Sequence, residues 1–423
     1  MSALLLGCPG AGAGGGGGGS DDGGGGTDDT GGTEPRPELK EIAEEIVSGS
    51  GSSYPAYFTG FDGAVYFAAE DSANGEELWK FDGTEVSIVE DIYAGGTSSS
   101  PDDFVVFDGS LYFQAENSAN GMELFKLDGD GNGASLAADI DSGGGDGYWG
   151  NPIVYEEALY FQATDGSSGK NLFKYDGSSA SFVAEVTFGD SSFPADLTLY
   201  DNTFYMYAEE NGGTISADAE LYYFDSATEE LTLPGLEEVN PTGTGSLPEE
   251  LVVYDGNLYF EADSNDGAGR ELYMYDNGDS DNDNEIYERI TNIRSGNDAQ
   301  IGNATVFDGE LYFTAYDGVR DYIYSYDGTS VTTHQDIVDG HTPYYPGSLE
   351  VYDGQLYFSA EDGTHGRELW RFDGQNAELV WDINQGSDDS YPYGMTAIDG
   401  RLYFSADNGS SGEELFYYQS PKP

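Results

Sequence analysis

Apolar and polar positions recur along most of this chain in one short pattern. A run such as Leu111-Tyr112-Phe113-Gln114-Ala115 is followed by a polar, glycine-containing loop, then by Glu123-Leu124-Phe125-Lys126-Leu127, then by Asp128-Gly129. Runs of five or six residues rich in aromatic side chains and bounded by Asp-Gly read as β-strands joined by turns. The clearest unit is Leu356 to Gly374, LYFSAEDGTHGRELWRFDG. Near copies begin at Val65, Leu111, Leu159 and Leu258, and more divergent ones at Phe204, Leu311 and Leu402.

An aromatic or apolar residue ahead of a turn marks each unit: Phe61, Phe107, Tyr155, Tyr200, Tyr254, Phe307, Tyr352 and Ile398. The spacings are 46, 48, 45, 54, 53, 45 and 46 residues. A period of this length with several strands per unit is the signature of a β-propeller. Each unit reads as four strands: one ending at the marker, one like LYFQA, one like ELWKF, and a short fourth such as Ser87–Ile92. Asp-Gly after the marker accepts the two positive φ angles of a type I′ hairpin. The second strands are apolar on both faces, as blades sandwiched between neighbours require. Pro55, Pro101, Pro194, Pro248, Pro346 and Pro392 each stand six residues before a marker. There a first strand begins and no ladder donor is yet needed.

One stretch breaks the pattern. In ELKEIAEEIV (38–47), Leu39, Ile42, Ala43, Ile46 and Val47 make a helical stripe behind Pro35 and Pro37. Yet the last unit stops at EELFYYQSPKP and lacks a fourth strand. Residues 42–63 align without gaps to 88–109, with 11 of 22 positions identical. The expectation is therefore an all-β, eight-bladed propeller of four-stranded blades. Residues about 41–47 would pair with Glu414–Tyr418 and close the ring, so that the sheet edges are covered. The domains are then 1–36, a lipobox-like remnant and a Gly/Asp-rich tether, and 37–420, the propeller.

Charge narrows the partners. The chain has 423 residues with 80 acidic and 14 basic, a net charge of −66. Such a surface repels nucleic-acid phosphates and anionic lipid. It suits a saline setting, where salt screens the self-repulsion. The single cysteine, Cys8, excludes an intramolecular disulfide. Leu5-Leu6-Gly7-Cys8 resembles a lipobox, which implies an acylated Cys8 as a lipid anchor, although no basic residue precedes it. The run from Pro9 to Thr33 would serve as a flexible tether.

Glu77-Leu78-Trp79-Lys80-Phe81-Asp82-Gly83-Thr84 matches the ELWxxDGT repeat in full, and Glu368 to Gly374 matches all but its last residue. Over residues 65–418 the chain resembles the ELWxxDGT repeat family of secreted bacterial proteins. The resemblance implies an exported, repetitive β protein and no particular reaction.

Candidate chemistry is sparse. There is no HExxH, CxxC or Gly-x-Ser-x-Gly, and the three histidines, His334, His341 and His365, fall in separate elements. Two turns have oxygen-ligand spacing suited to Ca²⁺. One carries Asp128, Asp130, Asn132 and Asp139; the other carries Asp279, Asp281, Asp283 and Glu285. Polar loops with Asp71, Asn74 and Glu77, or Asp362 and Glu368, recur in register as cation ligands or as turn residues. Tyr54, Phe193, Tyr345 and Tyr391 each precede a repeated proline, and Trp149 stands six before Tyr155. These five would ring one face, to stack on a sugar or a partner's side chain or to cap the core. The reading that results is a non-enzymatic, surface-anchored binding or scaffold propeller, monomeric, from a salt-adapted prokaryote. Its partner would be an extracellular protein or glycan. A calcium-stabilised adhesin and an extracellular polysaccharide-acting enzyme are the alternatives.

Overall fold

A computed structural model describes residues 38–42, 46–129, 131–167, 169–186, 191–209, 219–234, 239–240, 245–276, 287–335 and 344–421. Pro37–Ser420 forms one compact unit. It holds eight four-stranded antiparallel sheets, and the described residues contain no helix. The first strands are Ala56–Phe61, Asp102–Phe107, Tyr148–Tyr155, Ala195–Tyr200, Glu249–Tyr254, Gly302–Phe307, Tyr344–Tyr352 and Tyr393–Ile398. Each contacts the first strand of the next blade, and the eighth contacts the first, so they enclose a central channel.

All eight markers end their first strands. In seven blades both residues after the marker have positive φ, as at Asp62 (47°) and Gly63 (79°), which gives the expected I′ hairpins. The second strands are buried on both faces: Val65 to Ala69 are all at most 4% exposed. Core clusters span neighbouring blades. Tyr403, Leu415 and Tyr417 of blade eight pack with Phe67 and Phe81 of blade one.

The ring closes as the strand count demands. Glu38–Glu41 pairs antiparallel with Glu413–Gln419, placing Leu39 opposite Tyr418 and Glu41 opposite Phe416. The N–H of Ile42 then donates to Leu415 O at 3.0 Å. The strand lies about three residues earlier than the 41–47 expected. No hairpin ties it to its partner, so it runs out along that partner as far as Gln419. The helical stripe does not prevail at 38–41, because pairing with an otherwise bare sheet edge outweighs a local propensity.

The glutamate of the ELW motif holds successive blades together. Glu77 and Glu368 lie on third strands and are fully buried. Glu77 accepts from the N–H groups of Ile92, Tyr93 and Ser99 and from Ser99 Oγ at 2.6 Å. Glu368 accepts from Ile383 N–H, Asn384 N–H and Ser390 Oγ. Glu220 grips Ser246 and Glu414 grips Ser53 in the same way. A buried carboxylate is tolerated where donors surround it. Glycine at the start of the third strand lets the same loop approach. A Cβ on Gly412 (φ 74°) would come within 2.6 Å of Gly51 O.

Candidate functional site

The channel wall is built by a bulge repeated eight times. In every first strand the residue four before the marker has φ between 53° and 65°: Tyr57, Asp103, Asn151, Asp196, Glu250, Asn303, Ser348 and Gly394. The ladder to the second strand shifts register there in each blade. A bulge re-aims a side chain out of the pleat. These side chains join neighbouring blades. Asn151 N–H bonds Asp103, Asp196 N–H donates to Asn151 Oδ1 at 3.3 Å, and Glu250 N–H donates to Asp196 Oδ2 at 3.1 Å. Glu250 accepts from Asn303 N–H, and Ser348 N–H donates to Asn303 Oδ1 at 3.0 Å.

The polar layer is strongly acidic. Burial raises the pKa of Asp102, Asp196, Glu250 and Glu350 above the usual carboxylate range. Asp103 is pushed up to about 7 by burial and by the charge of Asp102. A cavity of about 400 Å³ opens beside Asn151, Asp196 and Glu250. An apolar layer lies one residue before the markers, where Val106, Leu199, Val253 and Val306 are exposed, Leu199 at 52%. Neither layer was anticipated. The signal was present as a polar residue four before the marker in six of the eight units, Asp103, Asn151, Asp196, Glu250, Asn303 and Ser348, visible once the units are aligned on their markers.

The rim aromatics lie at the entrance to these strands. Tyr54, Phe193 and Tyr391 have φ of 47°, 45° and 47°. Tyr54 and Tyr391 are 51% and 53% exposed and belong to the adjoining blades one and eight. Tyr57, 53% exposed, adds a third half-open ring on blade one. The Arg367 guanidinium stands 5.7 Å from the Tyr391 ring and Lys170 Nζ 5.6 Å from that of Phe193. The place aligned with Tyr54 is Tyr148, not Trp149. Gly147, not a serine, donates there to the preceding blade, at Met122 O. Tyr148 then turns inward, 1% exposed, against Phe161 at 4.8 Å. The side chains of Trp149 and Tyr345 lie outside the described residues.

The first calcium turn is held by other bonds. Lys80 Nζ donates to Gly131 O and Asn132 Oδ1, both at 2.8 Å, placing an ammonium beside the turn's oxygens. Asp128 accepts from Ser135 Oγ at 2.7 Å, while Asp139 accepts from Asn120 in another loop. Asp130, the whole second set (Asp279, Asp281, Asp283, Glu285), His341 and Cys8 lie outside the described residues. In the polar loops, Asp71 caps the N–H groups of Ala73 and Asn74, and Asp362 those of Thr364 and His365. These are turn-forming bonds. Glu77 and Glu368 are strand residues, not loop residues, and backbone and serine donors hold their carboxylates inside the blade. Among the described residues, no three His, Cys, Asp or Glu side chains converge as a metal set.

No family model and no curated protein matches this chain. Solved structures do, at low identity. A prolyl endopeptidase is similar at a TM-score of 0.51 and 12% identity, over 84% of this chain and 54% of that one. A puromycin hydrolase is similar at 0.51 and 12%, over 84% and 58%. A puromycin-hydrolyzing peptidase of Mycobacterium tuberculosis is similar at 0.52 and 10%, over 84% and 58%. This chain therefore spans little more than half of each. At this identity the likeness shows the fold. It also corrects the expectation of a non-enzymatic chain: the propellers it is similar to belong to hydrolases, so a propeller without a local catalytic motif is no ground for excluding chemistry.

Proposed function

We propose that this chain is an extracellular ligand-binding propeller of the ELWxxDGT type, tethered through an acylated Cys8, that engages a glycan on the face where its first strands begin. One observation carries the reading. Tyr54 and Tyr391 stand on adjoining blades in left-handed backbone, each about half exposed. The N–H of Tyr391 is tied to Arg367 O at 3.2 Å, so its backbone is set before any ligand arrives. Aromatic faces held open in this way stack on pyranose rings at little entropic cost. The acidic surface and the lipobox-like Cys8 support a saline, cell-surface setting.

The test is a glycan array probed with the chain and with Tyr54→Ala and Tyr391→Ala. Binding that falls about tenfold or more in both variants, with unchanged melting temperature, supports the reading. Binding unaffected by both variants, or absent from the array, ends it. The same glycans are followed for turnover, because the similar propellers belong to hydrolases.

A further inference from the structure

We propose that the channel wall where blades one, two and three meet binds a primary ammonium group, such as the side chain of a lysine presented by a partner. This stretch of wall does not use Tyr54 or Tyr391 and does not rest on the glycan reading.

Asp102 and Asp103 stand here, with Glu76 on the adjoining blade. The charges that act on them are one another and Glu70, and no basic side chain is among them. Asp103 N–H and the Tyr57 hydroxyl both bond to Asp102. Asp103 lies directly over Gly150, where a Cβ would come within 2.3 Å of its Oδ2. Glycine at that position is what leaves room for the carboxylate.

Tyr148 supplies an independent observation. It is 1% exposed, and its hydroxyl has no hydrogen-bond partner. Asp103 and Asp102 are the charges that bear on that hydroxyl. Burying a hydroxyl without a partner costs free energy, so a group that supplies one there stabilises the site. The equivalent rings Tyr54 and Tyr391 point outward, so this tyrosine differs from them in turning inward. An ammonium has three donors, which suits Asp102, Asp103 and the phenol oxygen together, and Tyr57 presents an open aromatic face beside it. An organic cation fits better than a metal ion, because no three carboxylates converge as a metal set among the described residues.

Calorimetric titration of the whole chain with n-butylammonium chloride, in buffered 0.15 M sodium chloride, tests this. The expected result is one saturable site. Asp103→Asn, which keeps an acceptor for Asn151 N–H, weakens it about tenfold or more. Tyr148→Phe, which keeps the buried ring, weakens it several-fold. Glu85→Gln, an exposed acid in the outer turn of blade one, leaves it unchanged. Three results overturn the proposal. One is the absence of saturation. The second is equal weakening by Glu85→Gln, which means diffuse attraction to the acidic surface. The third is calcium chloride binding that Asp103→Asn abolishes and butylammonium does not displace.

Discussion

Ser53 Oγ donates to Glu414 Oε2 at 2.7 Å, joining residues 361 positions apart. The same serine–glutamate bond links blade one to blade two as Ser99 to Glu77, and blade seven to blade eight as Ser390 to Glu368. The ring thus closes with the bond that it uses between consecutive blades. The strand Glu38–Glu41 is added outside that bond, on the far edge of the same blade.

Closure should therefore be worth several kcal/mol. Ile42 is 5% exposed in the cluster shared by blades eight and one. Ile42→Ala should cost about 2–4 kcal/mol in urea unfolding. Removing residues 38–48 should cost more, because it also bares the edge of Glu413–Gln419 and invites association through it. Unchanged unfolding and a strictly monomeric deletion variant would contradict the closure.

Gly412→Ala tests the approach of loop to strand at the same place. The new methyl group meets Gly51 O and sits at positive φ. A loss of about 2 kcal/mol or more is expected, against only the φ penalty of about 1 kcal/mol for alanine at Gly49 (φ 90°), where an added Cβ would meet no atom within 4 Å.

The staple glutamates should act through their donors. Glu368→Ala removes the acceptor of the Ile383 and Asn384 N–H groups inside the blade, while the Ser390 hydroxyl keeps Arg367 O at 3.0 Å. A cost of about 3 kcal/mol or more is expected, and Ser390→Ala should cost about 1 kcal/mol. Comparable small losses for both would mean that water replaces the carboxylate.

Acid should stabilise this protein over part of its range. Burial raises Glu123 and Glu368 from the ordinary 4.5 to about 7. A group raised in the folded state contributes stability that is fully present below its unfolded pKa and lost as pH rises through the folded one. The melting temperature should therefore fall between about pH 4.5 and pH 7.5, and Glu123→Gln should flatten part of that slope. A melting temperature that climbs over this interval would show that the donors around the carboxylates outweigh their burial.

Salt should stabilise it as well. With 80 acidic and 14 basic residues, self-repulsion opposes the compact state. Raising sodium chloride from 0.1 to 1 M shortens screening from about 10 to about 3 Å and should raise the melting temperature. Equal stability at both concentrations would argue against a saline habitat.

How much was legible follows from the range of each interaction. Six of the eight strand ends, Phe61, Phe107, Tyr254, Phe307, Tyr352 and Ile398, could be picked out because an Asp-Gly hairpin is set by two neighbouring residues. Glu77 could not be placed by such reasoning. It lies beside a polar loop in sequence, and donors 15 to 22 residues further on, from Ile92, Tyr93 and Ser99, make its burial tolerable. Tyr54 and Tyr148 occupy matching places, yet one ring faces solvent and the other the core. Tyr54 sits at φ 47°, whereas Tyr148 lies within its strand ahead of a register shift at Gly150 (φ 102°), and no local preference of tyrosine encodes that choice.

By itself, the sequence determined the repeat, the eight blades, the four-strand unit and the missing strand that the N-terminus supplies. These depend on periodicity, turn chemistry and a count of strand edges, all carried by residues close along the chain. Tertiary structure alone decided the register of Leu39 on Tyr418, the inward turn of Tyr148 and the acidic layer around the channel. Each of these arises where segments tens or hundreds of residues apart meet, and there burial and hydrogen bonding across the contact outweigh any local signal.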